Sequence, residues 1–346
     1  MDCRLVDPLS EPRWNEWIQE FPAADIFHSA QWAQVLFESY RFPLHYVVLK
    51  EGTQILAIVP VAEVRSFLTG NRGVSLPFSD TCPPLLSGDP RTPQKLSEFL
   101  RDLGVRRGWN YVELRGSTGN LDGAVQAEEF FVHDLVLERS EADQFAKLKD
   151  SNRRSIRKAR ASGIEVKTFR TQESIRTYYE LHCLTRKRHG LPPQPFRFFD
   201  RIQRVLLEPG TGFVQLAGHQ GKWIAGAVFL QFQKRSTYKF GASNLAFQHL
   251  RPNNLLMWEA IEKLRSEGSG SLCFGRTDVD DEGLLQFKRS WGAVESSVSY
   301  WRLALGRHRV VQVARPGRAS AAKVVLRRLP IPLLRLIGTL AYRHTG

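Results

Sequence analysis

A chain of 346 residues exceeds the usual size of one domain, and its 42% hydrophobic content gives two domains material for a core, so the composition describes a globular protein. Of the net charge of +14, nine charges arise after residue 305, where Lys and Arg occur without Asp or Glu; the body is only mildly basic, which argues against polyanion binding throughout and points the tail towards an anionic surface. Cys3, Cys82, Cys183 and Cys273 form no C-x-x-C pair and lack histidines at ligand spacing, so no metal site is expected. Their apolar neighbours suit reduced thiols, and the chain has neither a basic-then-apolar leader nor a run of about 18 apolar residues, so a cytoplasmic, non-spanning protein is expected.

In chain order, Trp14, Trp17 and Ile18 share a short helical face, and a second helix is expected around Trp32–Tyr40. His45–Phe67 reads as two antiparallel strands about a Glu51-Gly52 turn. A helix near Pro93–Arg107 and strands at Trp109–Gly116 and Phe131–Glu138 follow. Gly212–Gln233 repeats the earlier hairpin plan about Gln220-Gly221, a weak internal repeat that argues for two similar domains in tandem.

The join over residues 140–165 contains a helix on which Arg153, Arg154, Arg157, Lys158 and Arg160 span one arc, with Leu148, Asn152, Ile156 and Ala159 on the other. That arc is either a solvated face or, through Arg153, Arg154, Arg157 and Lys158, a contact for phosphate or a polyanion. Another helix is expected over Glu173–Arg188, with a loop at His189–Phe199.

Tyr238–Trp258, YKFGASNLAFQHLRPNNLLMW, changes from strand to loop to helix. Pro252 suits a first helical turn, where its missing N–H costs nothing, and Arg251, Asn253 and Asn254 stand around the exposed amides and positive dipole end. This is a place for a carbonyl, carboxylate or phosphate, or else an ordinary capped connection. A strand Ser271–Asp278, a short helix within Gly283–Ala293 stopped by Gly292, and a strand Ser296–Leu305 complete this half. Residues 324–343 are apolar with embedded arginines and divided by Pro330 and Pro332; they form either an interfacial segment for anionic lipid or a tail folded back on the second domain.

Three stretches, SNRRSIRKARASGIEV, YKFGASNLAFQHLRPNNLLMWEAIEKL and CFGRTD…GLLQFKRSWGA…SYW, together resemble the FemAB-like branch of the GNAT acyltransferase superfamily. That branch includes the Fem-type peptidoglycan aminoacyltransferases and a group associated with bacterial exopolysaccharide and PEP-CTERM export systems. The resemblance implies an α/β (α+β) fold of two tandem GNAT-like domains, each a mixed central sheet flanked by helices, at residues 1–139 and 140–305, with a basic helical tail at 306–346. It also implies transfer of an acyl or aminoacyl group to an amine or hydroxyl of a cell-envelope, peptidoglycan or exopolysaccharide precursor. No bound cofactor is expected; the donor substrate is acyl-CoA or aminoacyl-tRNA, which would make tRNA a partner. The glycine-rich R/Q-x-x-G-x-G/A loop of coenzyme A users is replaced here by HLRPNNLL, which leaves the donor open.

Direct attack needs a polarised carbonyl and an outlet for a proton, with no covalent nucleophile. The Phe287-Lys288 pair is similar to a Phe-Lys pair beside the reacting acyl group of Fem-type enzymes, which implies that Lys288 stabilises the oxyanion and that Lys288→Ala abolishes transfer while shifting stability within about 1 kcal/mol; otherwise it is a surface lysine at the edge of an amphipathic helix. Lys239, Arg251, Asn253, Asn254, Arg276 and Phe287 are expected to position substrate. Asp278, directly after its strand, is the expected proton acceptor or else an N-cap. Trp258 and Trp291 are expected in the core. The alternative to an enzyme is a non-catalytic GNAT-like module that binds polysaccharide export machinery or RNA. Either way the expected location is the cytoplasm, with peripheral contact to the inner membrane face.

Overall fold

The structure, a computed structural model, describes residues 1–116, 121–305 and 321–345, and residues 306–320 of the basic tail lie outside them. It is a mixed α/β chain in two compact units, the first of residues 1–130, 297–315 and 340–346, the second of residues 131–296 and 316–339.

The first unit opens with β1 (Asp2–Val6), α1 (Trp14–Gln19) and α2 (Ala30–Tyr40), then the expected hairpin of β2 (Tyr46–Glu51) and β3 (Gln54–Val59). The Ser29 hydroxyl accepts from the Trp32 amide at 3.1 Å and starts α2, satisfying an amide that has no partner within the helix. β4 (Ala62–Val64), β5 (Arg72–Val74), β6 (Leu85–Leu86), α3 (Thr92–Arg107), β7 (Tyr111–Arg115) and the start of β8 (Ala124–Val136) follow. Strands β1-β2-β3-β6 make one sheet, and β4-β5-β7 continue to β14 and β8 in another. Leu96, Leu100 and Leu103 recur on one face of α3 and pack with Val47, Val59, Trp109 and Val112; each such burial contributes about 1.5–3 kcal/mol.

In the second unit the expected single joining helix is two, α4 (Glu141–Lys147) and α5 (Asp150–Ala161), because Leu148 turns extended between them with ψ 143°. β9 (Glu165–Phe169), α6 (Gln172–Arg188), α7 (Phe196–Ile202), β10 (Gly212–His219), β11 (Lys222–Phe232) and β12 (Arg235–Ser243) precede α8 (Pro252–Ser266), β13 (Ser271–Asp278) and α9 (Glu282–Arg289). Strand order here is β8-β13-β12-β11-β10-β9, antiparallel from β12 to β9 and parallel between β12 and β13. One face of the sheet is covered by α8 and α5: Leu255, Trp258 and Ile261 join Ile156 and Ala159 over Phe213, Leu272 and Phe274. Trp258 and Trp291 are core, as expected.

β14 (Val294–Ala304) closes the order of strands, and its residues Tyr300–Ala304 pair antiparallel with Arg115–Tyr111 of β7. That pairing assigns residues from 297 to the first unit, so the compact units do not fall at the expected boundaries 139 and 305. Nor is the tail a separate body: α10 (Ala321–Arg328) and the greater part of α11 (Ile331–Ala341) pack in the second unit. Leu334 is fully buried, and Gly338 rides so close to the Pro193 carbonyl that a Cβ would collide with it. The folded-back alternative holds for this inner face. Among the described residues no helix is long and apolar enough to cross a membrane.

Candidate functional site

β12 and β13 pair at only three positions, Arg235 with Ser271, Ser236 with Leu272 and Thr237 with Cys273. Beyond them β12 continues against β11 alone and β13 runs on to Asp278, so the two parallel strands lose each other at their carboxyl ends. A crevice at the carboxyl ends of parallel strands is where open α/β sheets bind ligands. The connection from β12 then caps itself, with the Asn244 carboxamide oxygen accepting from the Ala246 amide at 3.1 Å, and Arg251 takes the left-handed φ of 61° that lets Pro252 begin α8.

Lys288 is not a surface lysine. Only 2% of it is exposed, and its ammonium donates to the carbonyls of Gly275 at 2.6 Å and Arg276 at 3.2 Å, on the stretch of β13 that has left β12. The alternative of a surface lysine is therefore corrected, and so is the small stability cost expected of Lys288→Ala in the catalytic reading: the amphipathic period of α9 reported a polar position, and tertiary packing covered it. Phe287, beside it, packs edge-to-face on Trp291 at 6.0 Å.

Asn254 is tied to the same place from the other side. Its amide donates to the Asn152 oxygen at 3.0 Å, the Asn152 amide donates to the Ser290 hydroxyl at 2.9 Å, and that hydroxyl donates to the Phe287 carbonyl at 2.5 Å. A buried asparagine on α5 thus joins the first turn of α8 to the last turn of α9. Arg251 is exposed and Asn253 half-buried at the start of α8. Lys239 lies with its ammonium 5.3 Å from the Phe240 ring, and Arg276 is half-buried.

Asp278 stands apart. It is exposed at the end of β13, and the N-cap role open to it belongs instead to Asp281, whose carboxylate accepts from the Leu284 amide at 3.1 Å. The basic arc of α5 is also less one-sided in space than in sequence. Arg153 is ion-paired with Asp150, and Arg160 with Glu259 of α8 at 2.8 Å, while Arg154, Arg157 and Lys158 face solvent. Arg157 also lies 5.8 Å from the Phe145 ring.

Four buried side chains near this crevice gave no functional signal in the sequence. His133 on β8 is buried, with Nε2 2.9 Å from Glu295, which also takes a fork of two 2.7 Å hydrogen bonds from Arg289. Burial and then the charge of Lys288 lower its pKa, so it is neutral near pH 7. His182 and Tyr178, one turn apart on α6, bury an Nε2 and a hydroxyl with no hydrogen-bond partner among the described residues, against Phe199 and, for His182, Phe240. Burial first, then Arg186, pushes the His182 pKa down to about 3. Tyr238, raised to about 12 by burial, tucks its hydroxyl against Gly241, where any side chain would collide with it. A lone histidine on an alternating strand and a Tyr/His pair on a helix face look like any core residues until their neighbours are known. Among the described residues no group of three His, Cys, Asp or Glu is placed to hold a metal.

Residues 146–289 match the family model of the acetyltransferase (GNAT) domain. The lipid II:glycine glycyltransferase of Staphylococcus epidermidis is 27% identical over 118 residues, 32% of this chain and 28% of that protein. The corresponding Staphylococcus saprophyticus protein is 32% identical over 79 residues, 21% of this chain and 19% of that protein. The chain thus spans less than a third of the length of these relatives. Among solved structures, that of FemX superposes with TM-score 0.70 at 14% identity, covering 88% of this chain and 98% of that one. A tandem GNAT protein from the clavulanic acid biosynthesis pathway superposes with TM-score 0.58 at 11% identity, covering 88% and 98%. These likenesses bear out the mixed α/β, tandem GNAT-like fold and the FemAB-like resemblance of the second half.

Proposed function

We propose that this chain, whose residues 146–289 form a GNAT domain of the FemAB-like branch, is an acyltransferase that passes an aminoacyl group from tRNA to an amine or hydroxyl of a peptidoglycan or other envelope-polysaccharide precursor. The observation that carries this reading is the Asn254–Asn152–Ser290 chain. It ties the element bearing the exposed Arg154, Arg157 and Lys158 to the first turn of α8 and to the helix of Lys288. A donor with an extended phosphate backbone can lie along α5 while its acyl end reaches the crevice. Acyl-CoA remains the competing donor, although HLRPNNLL lacks the glycines of the usual pyrophosphate loop.

In the transfer, the acceptor attacks the acyl carbonyl directly. Lys288, buried and held by two carbonyls, supplies fixed positive charge in a low-dielectric setting, where it is worth more to a developing oxyanion than in water. Phe287, Arg276 and Lys239 border the acyl group, and Arg251, Asn253 and Asn254 hold the donor at the helix start. Asp278 is the proton outlet through water, given its exposure. The work is done in the cytoplasm, with peripheral contact to the membrane that carries the precursor.

Thermal melting of the full chain with charged tRNA, acyl-CoAs and nucleotide-sugar precursors tests the donor, since a ligand of the folded state alone raises the melting temperature. Stabilisation by charged tRNA is expected. A shift with acyl-CoA alone would move the donor, and no shift with any of them would leave a non-catalytic binding module.

A further inference from the structure

His133 stands two residues before Leu135 on β8, so the alternation of the strand puts both side chains on the sheet face where Leu135 joins Trp291 and α8 in the core. From that face its Nε2 lies 2.9 Å from Glu295. Arg289 grips the same carboxylate with two hydrogen bonds and holds it below the usual carboxylate range, so Glu295 is ionised and can only accept. The proton of the neutral imidazole is therefore on Nε2, which leaves the lone pair on Nδ1. Nδ1 is buried and has no hydrogen-bond partner among the described residues. On the adjoining strand β13 the Thr277 hydroxyl is in the same condition, so each strand keeps one buried polar group open. Tethering α9 to β8 does not account for this, because a side-chain amide would donate to Glu295 without leaving a basic nitrogen bare in the interior.

Lys288 precedes Arg289 on α9, and its ammonium meets the Gly275 and Arg276 carbonyls on β13, the strand beside β8. The charged groups that act on His133 are Lys288 and Arg289 from α9 and Glu295 from β14. Two cations and the surrounding burial keep the imidazole neutral at rest. An oxyanion developing against Lys288 offsets one of those cations, and the imidazole then becomes a stronger base at the moment a proton must be taken.

We propose that His133 is the proton acceptor of the transfer step, working through one water at Nδ1, with Glu295 stabilising the imidazolium. This rests on the acyltransfer reading and deepens it. An ammonium acceptor sheds two protons. One goes to solvent before attack, for which the exposed Asp278 is the outlet. The other leaves the nitrogen as the new N–C bond forms, passes through the water to Nδ1, and is returned to the ester oxygen of the donor as its C–O bond breaks. A hydroxyl acceptor gives up only the second proton. The positive charge of Lys288 and Arg289 returns to full effect once the oxyanion collapses, which favours that return.

Transfer from charged tRNA by the full chain, together with nitrogen-15 NMR of the imidazole, tests this. His133→Gln keeps an amide donor for Glu295 and has no basic nitrogen. Its kcat should fall about 100-fold or more, with the KM for the donor and the melting temperature unchanged. The acid limb of the wild-type kcat profile, set by an imidazole that titrates below its ordinary 6.5, should vanish in this variant. Full activity in His133→Gln would make the histidine a tether for α9 and overturn the base; so would a fall in activity matched by a loss of folded protein. In the NMR spectrum at pH 7, Nε2 should carry the proton and Nδ1 none, and the titration midpoint should rise in Lys288→Met. A proton on Nδ1, or a midpoint that does not move, would overturn the proposal without any substrate. A wild-type protein with the expected tautomer that transfers from no donor would sink the acyltransfer reading, and the base with it.

Discussion

A lysine with 2% of its surface exposed has given up most of its hydration, and two backbone carbonyls of β13 replace it. Two consequences separate at this residue. Lys288→Ala removes the donor from two buried acceptors and should cost about 1–3 kcal/mol of stability, beyond a surface change. Lys288→Met keeps the stem and should lower turnover about 100-fold or more, while urea denaturation shows the protein still folded under assay conditions. If turnover falls only as far as the folded fraction does, Lys288 is structural. Asn152 makes a comparable test without touching substrate. Asn152→Ala breaks both of its side-chain hydrogen bonds and should raise the KM for the donor more than it lowers kcat, because it loosens α5 against α8. A stability loss with both kinetic constants unchanged would reduce it to a packing residue.

At the scale of elements, α5 shows how a helix face read from sequence differs from one read in space. Its run of cations meets Asp150 from its own first turn and Glu259 from α8, which leaves Arg154, Arg157 and Lys158 facing solvent. Neutralising those three to Gln should flatten the dependence of log K on log salt for tRNA by about 2, with little effect on a small neutral acceptor. An unchanged slope, measured by filter binding over a salt series, would return α5 to an ordinary solvated face. The start of α8 was legible from Pro252 and the period of Leu255, Leu256, Trp258 and Ile261, all of which are buried. The hydrogen bond from Asn254 to Asn152 was not, since residues 102 apart meet only through the fold.

For the molecule as a whole, the pH dependence of stability follows from groups the folded state refuses to charge. His182, depressed from 6.5 to about 3, stays neutral in the fold while the unfolded chain takes up a proton below pH 6.5. Its contribution is therefore intact above pH 6.5 and is lost as pH falls towards 3, at no more than about 1.4 kcal/mol per pH unit. His182→Phe, placed among Phe199, Tyr178 and Phe240, should shrink the gap in urea midpoints between pH 7 and pH 5. Equal gaps in both proteins would mean that the imidazole is solvated. The difference between the two proteins isolates His182 from the other buried histidines, among them His28, which is shifted upward.

The order of elements, the two hairpins, the helix of α8 and the uneven charge were determined by the sequence alone, because periodicity, turn residues and composition are local. Tertiary structure decided which polar positions became interior. It covered Lys288, set His133 beside Glu295, cancelled Arg153 and Arg160, and left Asp278 exposed. It also drew Tyr300–Ala304 to β7, where the sequence pattern placed that strand with the second half. These are contacts between residues far apart in the chain, and a one-dimensional pattern reports that a face exists without reporting what meets it.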